Sequence, residues 1–455
     1  MRDPGSSPWT VFSAVSVGTF MSTLDGSIVN VALPTLGVEL NAPIDRLEWI
    51  VSGYLLTLSV TLLVAGRLGD LFGHRRIYAL GLALFTVGSG LCGAAPSLAS
   101  LVAARVVQAL GASLTMAVGP AVVTAVFPPA MRGRALGSLG SAVSIGLTVG
   151  PPLGGLILQA LSWRWIFLVN LPIGLAGTLW ALRVLPATRP AEGARFDGVG
   201  AALLAFALGL GIIALDTLPD AGVQTTPILL AAAAAAALLT VRVRRTPEAI
   251  VDAAILRSPG VGSGLLAGLL SYVAMFTSTL LTPFLLTRVF QLTPGGVGAF
   301  LIAVPVAMAV AAPFSGWLAD RFGGRALPAV GMALLASALY GLSLAGPGSW
   351  LPSVAARLAL CGAGMGFFQA PNNSAVMGAI PRPKLGAGGG LLATSRNVGM
   401  AIGVAIAGTL FSLRAGDGLS PETFMPGYAL ALRTGAAVAI AAGLLSLFTR
   451  VPPKT

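Results

Sequence analysis

GRLGDLFGHRR at residues 66–76 and GWLADRFGGRA at 316–326 are two copies of one charged signature in a chain that is otherwise almost all hydrocarbon. In each copy a Gly is followed by an Asp four residues on, a second Gly three residues after that, and Arg close behind. Each copy joins two apolar stretches, and the copies start 250 residues apart. A charged connection repeated at the same place in two halves of an apolar chain marks a duplicated helical bundle, the plan on which secondary transporters are built.

Composition limits the class further. The 455 residues are 56% hydrophobic and only 9% charged, with a mean hydropathy of +0.89. No soluble fold of this length hides so much apolar surface. The net charge of +12 does not point to nucleic acid, because the basic residues fall in short connections between apolar runs and form no single basic face. Arg outnumbers Lys by 25 to 2, which with the Ala and Gly excess indicates a GC-rich bacterial genome. An ATP-driven pump needs GK[ST] in a phosphate loop, and the two lysines, Lys384 and Lys454, stand in PKL and PKT. One His and two distant Cys, Cys92 and Cys361, predict neither a metal cluster nor a disulfide framework. No nucleophile, base and acid stand out together, so no enzyme activity is expected.

Apolar runs of about 20 residues, enough to cross about 30 Å of hydrocarbon, recur along the chain. They predict an all-α integral membrane protein with fourteen spans at 9–33, 50–66, 77–95, 98–119, 136–160, 164–183, 198–216, 225–241, 262–286, 295–315, 326–346, 350–371, 388–412 and 427–449. The first run is too long for a signal peptide and is read as a span. With the N-terminus inside, nineteen Arg and Lys face the cytoplasm and four, Arg46, Arg164, Arg288 and Arg414, face out. Both termini are therefore expected in the cytoplasm.

The repeat extends beyond the signature. AARVVQALGASLTMAVGPA at 103–121 aligns with AARLALCGAGMGFFQAPNN at 355–373, an offset of 252 residues. Six spans precede the pair at 198–241 and six follow it. The expected organisation is a six-helix half at 1–189, an inserted two-helix segment at 190–261, and a second six-helix half at 262–455. Parallel halves of this kind place their site between them, near the membrane midplane.

Five motifs on successive spans carry a family likeness: LDGSIVNVALP (24–34), GRLGDLFGHRR (66–76), RVVQALGASL (105–114), GSAVSIGLTVGPPLGG (140–155) and WRWIFLVNLPIG (163–174). Together they resemble the major facilitator superfamily, and within it the fourteen-span drug/proton antiporter branch. The resemblance implies a proton-coupled antiporter that exports drug-like or antibiotic molecules across a bacterial cytoplasmic membrane by alternating access. It implies no cofactor beyond the proton gradient, small molecules and protons as partners, the lipid bilayer as surroundings, and a functional monomer. A symporter or facilitator for a metabolite, and a membrane sensor or lipid-handling protein on the same fold, stay open as alternatives.

Asp25 is the leading site residue. It lies sixteen residues into the first run, about 24 Å from the inner end at 1.5 Å per residue. An intramembrane carboxylate is costly unless it is paired, hydrated or protonated. Ser22, Thr19, Thr23, Gly26 and Asn30 continue a polar and small stripe along the same helix. Arg105, about 11 Å from the outer face on the fourth run, is at a similar depth, so Asp25 reads either as a proton-coupling group helped by Arg105 or as a structural ion-pair partner. Gln108, Gln369, Asn372, Asn373, Arg357 and Arg396 are further cavity or substrate candidates. The second half carries no acid within its hydrocarbon runs, which weakens the case for lipophilic dications and leaves neutral, zwitterionic and anionic substrates open.

Gly146, Gly150, Pro151, Gly154 and Gly155 make the fifth run a poor isolated helix, so its use is close packing or a bend. The resemblance implies an ion-tight contact between halves there. Gly66, Asp70, Gly73, Arg75 and Arg76, with Asp320, Arg321 and Arg325 in the second copy, are expected to form a conformational latch across the cytoplasmic seam. His74 is read as incidental there.

The topology is checked by reporter fusions. Fusions at 220 and 347 are expected outside, and fusions at 190 and 250 both inside; opposite sides for 190 and 250 would remove the two-helix insertion and leave about twelve spans.

Overall fold

The structure, a computed structural model, describes residues 7–187, 197–216, 225–246, 253–322, 326–380, 385–415 and 420–448, and every regular element among them is helical. In chain order these are α1 (Pro8–Glu39), α2 (Ile44–Phe72), α3 (His74–Ala94), α4 (Leu98–Val126), α5 (Pro129–Ala160), α6 (Trp165–Leu168), α7 (Asn170–Val184), α8 (Gly198–Asp216) and α9 (Thr225–Arg245). They continue with α10 (Ala253–Leu256), α11 (Val261–Phe284) prolonged by a π-helical stretch Leu285–Val289, α12 (Pro294–Leu301), α13 (Ala303–Phe322), α14 (Leu327–Ser343), α15 (Leu351–Gly378), α16 (Leu385–Ala415) and α17 (Pro421–Ser446).

Among the described residues, eleven helical segments are long and apolar enough to cross a membrane by length and composition. The fourteen apolar runs all fall on helices, but α1, α5 and α14 do not reach that standard. In α1 the residues Ser13, Ser16, Thr19, Ser22, Thr23, Asp25 and Asn30 interrupt the apolar sequence. In α14 the apolar stretch is the shorter Leu327–Ser343, and in α5 the stretch among the described side chains is Ile145–Ala160. The hydroxyls of α1 do not break the helix, because each donates to a carbonyl one turn back: Ser16 to Phe12 at 2.9 Å, Ser22 to Gly18 at 3.0 Å and Thr23 to Thr19 at 2.9 Å. Internal bonding of this kind lets polar side chains sit where no water is available.

The first charged signature is a corner between helices and not the loop expected from its composition. GRLGDLF completes α2, His74 opens α3, and Gly73 alone separates them at φ 90° and ψ 133°. That conformation is open to glycine and strained for other residues, which is why the second Gly of the signature stands there.

Helix association inside a bilayer gains little from the hydrophobic effect and depends on close backbone approach. This chain achieves it with glycines in equivalent pairs. Gly146, Gly150 and Gly154 put one face of α5 onto α1; a Cβ on Gly150 would stand 2.8 Å from Ser27 Cβ, and one on Gly154 2.7 Å from Ile28 Cγ1. Gly399 and Gly403 do the same for α16 on α11, where added Cβ atoms would meet Tyr272 Cβ at 3.0 Å and Phe276 Cβ at 2.9 Å. Gly81 seats α3 on α4 and Gly331 seats α14 on α15, with the carbonyls of Gly111 and Gly364 at 2.9 and 2.6 Å from the added atom. Between the two groups of helices, Gly155 of α5 meets Pro294 and Gly295, and Gly298 of α12 meets Pro151 and Pro152. α2 packs along α16, where Gly408 lies against Glu48.

α8 and α9 pack on each other, and α8 packs on α2 and α16. Thr409 of α16 donates to the Leu215 carbonyl at 3.0 Å, and Asp197 pairs with Arg242 at 2.6 Å across the pair.

Gly150→Leu, whose side chain has no room against Ser27 and Ile28, should destabilise the protein by about 1–3 kcal/mol. Gly209→Leu, where nothing lies within 4 Å of an added Cβ, should leave the thermal unfolding midpoint in detergent unchanged. Equal midpoints for the two variants would refute the packing account of α5.

Candidate functional site

Asp25 has no exposed surface, and its carboxylate is met by donors from two other helices. On α4, Arg105 donates to Asp25 Oδ2 in a buried ion pair, and Gln108 Nε2 donates to Oδ1 at 2.8 Å. On α7, Asn170 Nδ2 donates to the same Oδ1 at 3.2 Å. Arg105 and Gln108 face the same way because they are three residues apart on one helix, and Arg105 Nη1 also donates to Gln108 Oε1 at 2.6 Å. The remaining groups close the shell: Arg105 Nε donates to the Ile50 carbonyl at 3.2 Å, and Gln108 Nε2 bonds Ser89 Oγ at 2.7 Å. The guanidinium carbon lies 4.0 Å from the centre of the Tyr54 ring and 5.9 Å from that of Phe167. Aromatic faces around a desolvated cation add to its stabilisation.

Arg105 thus bridges two environments. Behind it is the buried polar cluster of Asp25, Gln108, Asn170 and Ser89. In front is a cavity of about 270 Å³ between α1, α2, α4, α5, α11, α12, α13, α15 and α16, which Arg105 lines and Asp25 does not. Ser22 and Asn30 of α1, Pro151 of α5, Gln369 of α15 and Arg396 of α16 also line it. A smaller cavity of about 160 Å³ adjoins it and shares Tyr272, Gln369 and Arg396, adding the exposed Asn373.

The residues expected at the site divide accordingly. Asp25, Arg105 and Gln108 come together in the cluster, and Ser22, Asn30, Gln369, Asn373 and Arg396 reach a cavity. Asn372 does not: it is buried and donates to the Gly264 carbonyl at 3.1 Å, tying α15 to α11. Arg357 does not either. It donates to the Gly341 carbonyl of α14 at 2.8 Å, because the position 252 residues after Asp25 is Thr277 and offers no carboxylate. Asn170, Ser89, Tyr54 and Tyr272 were not singled out from the sequence. Asn170 stands inside the quoted motif WRWIFLVNLPIG, where a lone amide in an apolar run was the available signal. Glu48 is a further buried carboxylate, at the start of α2 against Gly408.

The charged corner draws its bonds from the first group of helices. Asp70 lies 3.8 Å from Arg67 Nη1 and 3.4 Å from His74 Nε2, and Arg75 donates to the Leu182 carbonyl of α7. His74 is therefore part of the corner and not incidental, since the single-residue break at Gly73 keeps it one turn from Asp70. Arg76 is exposed, Gly66 has only Ala117 Cβ at 4.0 Å from an added Cβ, and Arg321 lies 5.5 Å from the Trp317 ring centre. The Asp320 side chain and Arg325 lie outside the described residues.

The sequence profile of the Major Facilitator Superfamily matches residues 15–403, with a second match at 264–455. The chain is 33% identical over 407 residues to the riboflavin transporter RibZ of Clostridioides difficile (strain 630), covering 89% of this chain and 88% of RibZ. It is 32% identical over 414 residues to the tetracenomycin C resistance and export protein of Streptomyces glaucescens, covering 90% of this chain and 77% of that one. In fold it is similar to the crystal structure of the POT family transporter PepTSo, with a TM-score of 0.71, 98% of each chain covered and 16% identity.

Breaking a buried pair by removing one partner strands the other charge. Arg105→Gln should therefore cost about 3–5 kcal/mol, and the double variant Asp25→Asn/Arg105→Gln should recover most of it. Thermal unfolding in detergent measures both, and a double variant no more stable than the single one would refute the pairing.

Proposed function

The chain belongs to the Major Facilitator Superfamily, and we propose that it is a proton-coupled antiporter exporting drug-like or antibiotic molecules across the bacterial cell membrane. The chain is a multi-pass membrane transporter; the direction, the proton and the substrate class are our reading. The observation that carries it is the position of Arg105, which borders the central cavity on one side and the desolvated Asp25 carboxylate on the other. A proton added to Asp25 removes the charge that holds Arg105. The hydrogen bonds joining α1 to α4 and α7 must then rearrange, and that gives a buried site a means of biasing a conformational equilibrium.

Two parallel six-helix halves fit the packing. α1 meets α5 as α11 meets α16, α3 meets α4 as α14 meets α15, and α3 meets α7 as α14 meets α17. In our reading α1, α5 and α14 also span, giving fourteen crossings with both termini in the cytoplasm. The halves are 1–189 and 262–455, and α8 and α9 are an addition on the flank of α2 and α16.

Alternating access is supported by the seam. The Gly155–Pro294 and Gly298–Pro151 approaches lie at the end assigned to the outside by the charge bias, and suit an ion-tight closure. The smaller cavity leads from Arg396 to the exposed Asn373, at the end of α15 assigned to the cytoplasm. Asp70 is met by Arg67 and His74 of its own half, and in our reading the same corner latches to the second half in the other state.

An efflux screen across charge classes in a pump-deficient host supplies a transported compound, and proteoliposomes containing the proton-sensitive dye pyranine then report coupling. Asp25→Asn, well folded by size-exclusion profile, should lose proton-driven transport by at least about tenfold, or 1.4 kcal/mol, while still binding that compound. Undiminished proton-driven transport in this variant would assign Asp25 a structural role only.

A further inference from the structure

Among the described residues, the central cavity is lined by two guanidinium groups, Arg105 and Arg396, and by no carboxylate. Their situations differ. Arg105 is neutralised from behind by Asp25. Arg396 forms no ion pair with any described residue, and its Nε has no hydrogen-bond partner among them. The smaller cavity that it also borders is equally free of lining acids. Among the described lining residues, the uncompensated charge of the binding space is therefore the single positive charge of Arg396.

A cation at mid-membrane depth costs several kcal/mol unless water or a counter-charge meets it. Water in an empty cavity supplies part of that. A ligand that displaces the water has to replace it, and an anionic oxygen does so with a charge-assisted, bidentate hydrogen bond. A lipophilic cation brings a second positive charge to the same place. Around Arg396 the walls are aromatic and thioether surfaces, Tyr272, Phe276, Met275, Met308 and Met400. Such polarizable walls favour flat, unsaturated ligand bodies and repack around different ones. Other lining residues hold buried polar atoms without a hydrogen-bond partner among the described residues, among them Asn30 Oδ1, Tyr54 OH and Asn397 Nδ2.

We infer that the molecules carried are aromatic anions, planar or polycyclic bodies whose carboxylate, enolate or phenolate is held by Arg396. This deepens the transport reading of the same cavity and rests on it for the direction of movement. The negative charge is answered by Arg396 and the ring system by the Met and aromatic walls, while Arg105 stays engaged with Asp25.

The test uses the full chain in lipid nanodiscs, with protein-free nanodiscs as the partition reference, and three probes of one shape: 1-pyrenecarboxylate, 1-pyrenemethanol and 1-pyrenemethylammonium. The carboxylate should bind at least about tenfold more tightly than either of the others, the smaller end of what one charge-assisted hydrogen bond supplies. Arg396→Gln should bring the carboxylate down to the level of the alcohol without weakening the alcohol. Arg396→Lys should keep part of the preference, and Arg357→Gln, which alters an Arg bonded to α14, should keep all of it. The inference is overturned if the ammonium probe binds as well as the carboxylate, if none of the three binds above the protein-free reference, or if the preference survives in Arg396→Gln. Binding is read without a gradient, so its outcome is separate from coupling. A carboxylate preference together with undiminished proton-driven transport in Asp25→Asn sinks the coupling proposal and leaves this one. Loss of the preference with intact coupling does the reverse.

Discussion

A carboxylate with no exposed surface has to be met by donors, and meeting that of Asp25 ties together much of the first half of this protein. Arg105 and Gln108 come from α4 and Asn170 from α7, Ser89 of α3 holds Gln108, and the Ile50 carbonyl and Tyr54 ring of α2 hold Arg105. Five helices thus share one small polar cluster inside hydrocarbon. In a low-dielectric interior such a network is strong when fully satisfied and costly when one member is lost. Any event that changes the charge of Asp25 is therefore felt by every helix that contributes to it.

α1 is held from a second direction as well. The Gly146, Gly150 and Gly154 face of α5 lies against it over residues 20–28, the same stretch that carries Asp25, and Ser27 donates across to the Gly146 carbonyl at 3.1 Å. The neighbouring Gly155 and Pro151 of that helix contact α12 at the seam. A charge change at Asp25 and the seam between halves are consequently joined through one pair of helices in backbone contact. In a bilayer, where apolar faces gain little by leaving lipid, such contacts decide which helices move together.

α1 packs on α5 much as α11 packs on α16, and α3 on α4 much as α14 on α15, but the polar chemistry of these groups differs. Asp25 and Arg105 correspond at an offset of 252 to Thr277 and Arg357. Thr277 bonds the Ala274 carbonyl of its own helix at 2.7 Å, and Arg357 turns to a carbonyl of α14. α4 contributes Arg105, neutralised from behind by Asp25, to the cavity wall, and α16 contributes Arg396, which forms no ion pair among the described residues. The cavity is asymmetric in charge although the bundle around it is nearly symmetric in packing.

Much of this was readable in the chain itself. Apolar runs long enough to cross hydrocarbon can only be helices there, because no water is present to bond an open backbone, so the all-α membrane class followed from composition and spacing. Asp25 and Arg105 could be picked out because charge in such runs is rare. The sequence could not say that they touch, since matching depth leaves the rotation of each helix free, and it could not separate Arg396 from Arg357, two cations each set inside an apolar run. It also missed Asn170, Tyr54 and the part played by His74, residues ordinary in type whose meaning lies in what stands opposite them. Periodicity and charge along one dimension specify which segments enter the membrane. Which side chains meet is decided only when glycine faces lock the helices at particular rotations, and that belongs to the tertiary structure alone.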